Sequence, residues 1–334
     1  MNRHIPNSVK KNRGLSLIEL MVAMILTLIL VSGVITIFIS NKATYLTQDG
    51  LSRVQESGRF GLTFLSESLR WAGYSGCGNL DTMNVHIQSD PPPAGGFSMA
   101  GALEGYDGGT GWTNPTSITH VTGTDVVNIK GQQPGGLRLV GNMATDNANI
   151  QVGANPDGYA AGDILVITDC QDADIFTAGT VSSSGGTITI PHPSSSNLTP
   201  KLSKAYQDDA MVARFMDVTY FIGVNPSGNP SLYRISNGVA QELVEGIRDM
   251  QITYGVDSID DDDWVIDSYQ PASGVADWTQ VRSVRLGLIA ESNDNAYPDN
   301  ISVTYSLPSG NVTYNDRRMR QAFNTTIALR NRLH

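Results

Sequence analysis

Between Leu20 and Ser40 the sequence has no Asp, Glu, Lys or Arg, and its first fourteen residues contain no acid. The first absence removes the main barrier to burial in hydrocarbon. About 20 residues at ~1.5 Å rise match the ~30 Å core of a bilayer, so the run is long enough to span. The second absence leaves Arg3, Lys10, Lys11 and Arg13 as an unopposed basic leader. By the positive-inside rule such a leader holds the N-terminus in the cytoplasm and sends the remainder across. An A-x-A pattern is also missing after the run, which continues into Ser40-Asn41-Lys42-Ala43-Thr44. Removal of the span as an ordinary secretory signal is therefore not expected.

Catalytic and metal-binding patterns are scarce too. There is no Walker A loop, no H-E-x-x-H and no C-x-x-C, and His86, His120 and His192 stand apart from one another. Gly73-Tyr74-Ser75-Gly76-Cys77 starts like a nucleophile elbow but carries Cys77 where the second glycine belongs. An enzyme is disfavoured, and neither a cofactor nor a metal is expected. Without the four leader cations, 18 basic residues face 32 acidic ones, a net charge of −14 that argues against general nucleic-acid affinity. The only cysteines, Cys77 and Cys170, fall in the exported part, where oxidation is permitted. One disulfide is the simplest pairing; two buried free thiols are the alternative.

One acid interrupts the apolar stretch. Glu19 lies one helical turn inside it, where a carboxylate costs roughly 2.5–3.5 kcal/mol on insertion scales and so calls for a cation. Gly14, between the basic leader and the apolar run, offers extended backbone to a protease. A cut between Gly14 and Leu15 would place a new α-amino group one turn from Glu19, in the same chain or in a neighbour alongside.

Gly14-Leu15-Ser16-Leu17-Ile18-Glu19-Leu20 resembles the type III leader site of type IV pilins and pseudopilins, with Leu15 where that family usually has Phe. The resemblance implies cleavage after Gly14 by a prepilin peptidase, N-methylation of Leu15, and Glu19 as the assembly glutamate. It implies as partners the peptidase, other minor pilins, the major pilin, the inner-membrane assembly platform and the bilayer.

Further along, Leu51, Val54, Gly58, Leu62, Leu65 and Leu69 recur at steps of three and four, and no proline occurs from Leu15 to Trp71. Span and amphipathic segment therefore read as one helix ending near Ala72-Gly73, with Phe60 and Phe64 widening its buried stripe. Residues 75–162 turn to Gly, Pro, Asn, Asp and Thr, as in Gly105-Tyr106-Asp107-Gly108-Gly109-Thr110-Gly111-Trp112, and read as loop-rich β structure. Met216 to Ile222 and Leu232 to Ile235 read as a hairpin about Asn225-Pro226-Ser227-Gly228-Asn229-Pro230, and Glu242 to Met250 as a short helix on the spacing of Leu243, Ile247 and Met250. Strands are expected through Val284, Leu286 and Leu288 and through Phe323, Thr325 and Ile327.

Two charge clusters stand out. Asp257, Asp260, Asp261, Asp262 and Asp263 make a candidate weak cation site or a solvated loop, without the order of an EF-hand. Arg317, Arg318, Arg320, Arg330 and Arg332 make solvated strand ends or a contact for acidic neighbours or DNA.

Ala72-Gly73-Tyr74-Ser75-Gly76-Cys77, Gly162 to Cys170, Leu243 to Gln251 and Thr325 to Arg332 are similar to segments of PilW-type minor pilins. The expected fold is α+β and type IV pilin-like: a leader over 1–14, a long helix over 15–73 with the span at about 15–40, and a periplasmic or extracellular, mostly antiparallel β domain over 74–334 with a loop-rich insertion. The expected role is initiation or assembly of type IV pilus fibres, which serve motility, adhesion or DNA uptake. The pseudopilins of type II secretion share the N-terminus, and a membrane-anchored adhesin or ligand-binding protein is the other alternative.

Overall fold

The computed structural model describes residues 16–258 and 265–332. One helix, α1 (Leu17–Arg70), continues unbroken from the apolar run into the amphipathic segment. It ends at Arg70, and Gly73 takes the left-handed conformation (φ 73°) that turns the chain toward the sheet.

The C-terminal half of α1 lies on a four-stranded antiparallel sheet ordered Ser268–Gln270, Ile247–Val256, Val281–Asn295 and Arg318–Ala328. Its inner face supplies Ile247, Met250, Ile252, Leu286 and Leu288 to the main core, which Val54, Leu65 and Leu69 enter from the helix.

A second, larger sheet is built on the strand Met211–Val224, which changes partners along its length. Its first residues pair with Ile164–Thr168 and Leu137–Arg138, and from Phe215 onward it pairs with Val126–Gln132. On its other edge Val218–Val224 forms the hairpin with Pro230–Ser236, closed by the turn at 225–229. The loop-rich insertion adds Asn84–Ile87 alongside Asp172–Thr177, the one parallel pair among the described strands, and a separate three-stranded sheet with its own core around Ile150, Phe176, Ile190 and Tyr206.

Residues 242–250 are not helical. Val239–Glu245 and Ile247–Val256 are strands of different sheets, parted at Gly246. Gly246 adopts φ 81°, and a Cβ there would lie 2.8 Å from the Glu291 carbonyl oxygen. Its N–H donates to Pro230 O and its carbonyl accepts from Glu291 N, so the glycine joins the two sheets. The apolar spacing that mimics a helical turn arises from two strands meeting at a kink.

Candidate functional site

The helix begins with reciprocal capping. Ser16 Oγ accepts from Glu19 N at 3.2 Å, and Ser16 N donates to the Glu19 carboxylate at 3.3 Å. Two N–H groups that a helix start leaves unpaired are thereby satisfied, and the negative charge sits at the positive end of the helix dipole. The Glu19 side chain is folded back onto the backbone N–H of the cap residue. Gly14 and Leu15 themselves lie outside the described residues.

From Leu17 to Ile39 every large apolar side chain is between 48% and 79% exposed, with no protein packed against it. The two threonines of this segment turn their hydroxyls inward: Thr27 Oγ1 donates to Ala23 O at 2.7 Å and Thr36 Oγ1 to Ser32 O at 2.9 Å. Hydroxyls satisfied by the preceding turn expose less polarity on a mainly apolar surface. By length and composition this helix is able to cross a membrane.

Beyond Thr47 the helix is held to the domain. Its buried positions are Gly50, Val54, Gly58, Gly61, Leu65 and Leu69, at steps of four, four, three, four and four. Three of the six are glycine, so the backbone approaches the sheet closely: a Cβ at Gly61 would meet Leu288 Cδ1 at 3.0 Å, and one at Gly50 would meet Ser292 and Ala296 at 3.6 Å. Thr47 Oγ1 donates to Ala296 O, and Ser68 shares a 2.6 Å hydrogen bond with Tyr220. The contact stripe is narrower than its sequence implies. Phe60 (52% exposed), Phe64 (37%) and Leu51 (42%) point outward rather than widening the core, because glycines at the seam bring the sheet onto a face those side chains do not share.

Past the helix, Gly73 N donates to Lys130 O and Gln132 N to Tyr74 O, fixing the exit of the chain to the second sheet. Cys77 and Cys170 are joined by a disulfide across a separation of 93 residues. Ser75 is buried and donates to Gly78 O at 2.6 Å, which makes it part of this turn.

The arginine cluster is neither solvated nor a single patch. Arg332 is 1% exposed, and its guanidinium donates to the carbonyls of Trp278 and Met99. Burial first and the nearby Arg282 second lower its pKa to about 10. Arg320 donates to Asp316 and Glu291. Burial opposes its charge, but those two carboxylates outweigh it and raise the pKa above the ordinary arginine value. Arg318 is half-buried and donates to Glu291, while Arg317 and Arg330 are exposed. Of the acidic cluster, Asp257 accepts from Arg282 at 3.2 Å, which assigns it to the sheet edge; Asp260, Asp261, Asp262 and Asp263 lie outside the described residues.

A helix that exposes half its length and clamps the other half to an antiparallel sheet defines an α+β protein of pilin-like architecture. Comparison with known families gives the same class: residues 9–35 match the family described as Prokaryotic N-terminal methylation motif, and residues 219–331 match Type IV Pilus-assembly protein W. Together the two matches support a type IV pilus minor pilin of the PilW family. Neither the curated proteins nor the solved structures provide a match.

Proposed function

We propose that this pilin is a membrane-anchored subunit that helps initiate or assemble type IV pili. The observation that carries the proposal is the single helix α1, apolar and unpacked up to Ile39, and docked on the β domain through Gly50, Gly58 and Gly61. In this reading a prepilin peptidase removes residues 1–14 by cutting after Gly14, and Leu15 becomes the methylated N-terminus. The span at about 15–40 sits in the inner membrane with its start toward the cytoplasm, and the domain over 74–334 lies in the periplasm until it reaches the pilus or cell surface.

Glu19 is the assembly residue of this proposal. Its carboxylate already folds back to Ser16 N, so the α-amino group created at Leu15, in its own chain or a neighbour's, would arrive beside it. Pairing between neighbouring chains would fix the axial offset of adjacent spans, because the alternative is two unpaired charges in lipid. The partners are then other minor pilins, the major pilin and the assembly platform, and the role is structural rather than enzymatic. The test is a pilus count in a deletion strain with and without the wild-type chain. Absent pili restored by complementation support the proposal; normal pili with a loss of protein secretion would assign the chain to a secretion system.

A further inference from the structure

The loop-rich insertion builds a cleft of about 480 Å³ on the face of the second sheet turned away from the main core. Three neighbouring strands, Leu103–Tyr106, Val126–Gln132 and Met211–Val224, determine its floor. Cross-strand register places Glu104 opposite Asn128 and Asn128 opposite Thr219, with Lys130 opposite Asp217 in the next rank. Residues directly opposite share a face. Leu103, Val127, Ile129 and Val218 on the other face enter the core, so the polar set faces the cleft together.

The walls are aromatic and held in place before any ligand arrives. Tyr106 and Trp112 belong to the glycine-rich loop, which two carboxylates clamp to the body. Asp107 accepts from Ala272 N and Ser273 N, and Asp125 accepts from Gly108 N and Ile252 N, all at 2.7–2.8 Å. Trp112 rests on Phe221 and His120, with centroids 5.1 and 5.7 Å away, and is only partly buried, leaving an edge open to the cleft.

The floor retains hydrogen-bonding capacity. Asn128 Nδ2 donates to Asp217 and Thr219, while its Oδ1 is buried and accepts no hydrogen bond among the described residues. Lys130, 1% exposed, donates to Gly101 O at 3.1 Å. An ammonium has three donors, so that bond leaves it further capacity. A cationic ligand would meet this ammonium, and an anionic one would meet Glu104 and Asp217. A neutral ligand carrying many hydroxyls and one apolar face satisfies donors, acceptors and aromatic rings at once.

We infer that this cleft is a binding site for a neutral saccharide, stacked on Trp112 and Tyr106 and hydrogen-bonded through the partly exposed Glu104 and Asp217, which Asn128 and Lys130 hold in place. The full-length chain, purified in a detergent without a sugar headgroup, is applied to a broad array of neutral glycans and then titrated with the retained ones by tryptophan fluorescence. Binding by at least one glycan, weakened tenfold or more in both Trp112→Ala and Asp217→Asn, is the expected result. Asp217→Asn keeps the shape of the side chain, so it decides alone, at an unchanged unfolding midpoint, if Trp112→Ala does not fold. An array without a retained glycan overturns the inference. So does binding that Asp217→Asn leaves unchanged, or tighter binding of spermidine or inorganic phosphate than of every glycan. The binding readout needs no pili, so its failure is separate from failure of the assembly role.

Discussion

The ring of Phe323 occupies the space into which a side chain at Gly58 would extend: a Cβ built on Gly58 falls 2.1 Å from Phe323 Cε2. In an exposed helix, glycine to alanine stabilises by up to ~1 kcal/mol. Here the clash prevails, and overpacking of about 1–3 kcal/mol is expected for Gly58→Ala. Its thermal midpoint should fall. Gly58→Ala with Phe323→Ala should be less destabilised than the sum of the two single variants, since the second change removes the obstacle to the first. Simple additivity would show that the two residues do not compete for space.

Glu19 caps the helix, and in the proposed function it also serves assembly; substitution separates the two. Glu19→Ala relieves an insertion penalty of roughly 2.5 kcal/mol or more, so membrane abundance and leader removal should persist while pili are lost. Glu19→Gln keeps a side chain able to complete the capping box with Ser16 but has no charge. Pilus counts should drop in both. Wild-type counts for Glu19→Gln would make capping, not charge, the requirement.

The Cys77–Cys170 link closes a loop of 93 residues, for which chain entropy allows about 4–5 kcal/mol of stabilisation. The double variant Cys77→Ser/Cys170→Ser and the reduced wild type should unfold at the same, lower denaturant concentration. Thiol labelling of denatured, unreduced protein should find no cysteine; two labelled cysteines per chain would contradict the bond.

Asp125 should make the native state more stable in mild acid than at neutral pH. Burial dominates over the two N–H donors it accepts and pushes its pKa up to about 6. Unfolded, it titrates near ~3.9, so between these values the native state retains a proton that the unfolded chain releases. Its contribution is fully present below about pH 4 and is lost as pH rises through about 6, by about 3 kcal/mol. Urea midpoints at pH 4.5 and 7 should differ less in Asp125→Asn than in the wild type. An equal slope in both would remove Asp125 as the cause.

Sequence periodicity was informative where one element carries its own pattern. Val54, Gly58, Leu65 and Leu69 mark the buried stripe of α1, and Met216 to Ile222 with Leu232 to Ile235 mark the hairpin. It misled where small residues make the contact. Gly50, Gly58 and Gly61 lie at the seam, while Phe60 and Phe64, the larger apolar side chains, are exposed. It misled again at 242–250, where Gly246 joins two strands whose combined spacing imitates a helix. The charges of Arg320 and Arg332 looked solvated because their partners, Glu291, Trp278 and Met99, are remote in sequence. The cleft was illegible for the same reason: Glu104, Asn128 and Asp217 meet only through strand register.

The strand Met211–Val224 changes partners at a particular place. The chain leaves the pilin body after Gln132 and returns at Phe215, and these two residues are paired across the sheet. The neck of this excursion is that strand pair together with two ties to the helix exit, the Cys77–Cys170 disulfide and the pairing of Asn84–Ile87 with Asp172–Thr177. Whatever grows or shrinks beyond that neck leaves the register of Val126–Gln132 and the seat of α1 unchanged. The match to Type IV Pilus-assembly protein W starts at residue 219, four residues past the neck. The outermost sheet and the seat of α1 thus rest on separate cores, so the surface presented farthest from the helix is set independently of the helix contact.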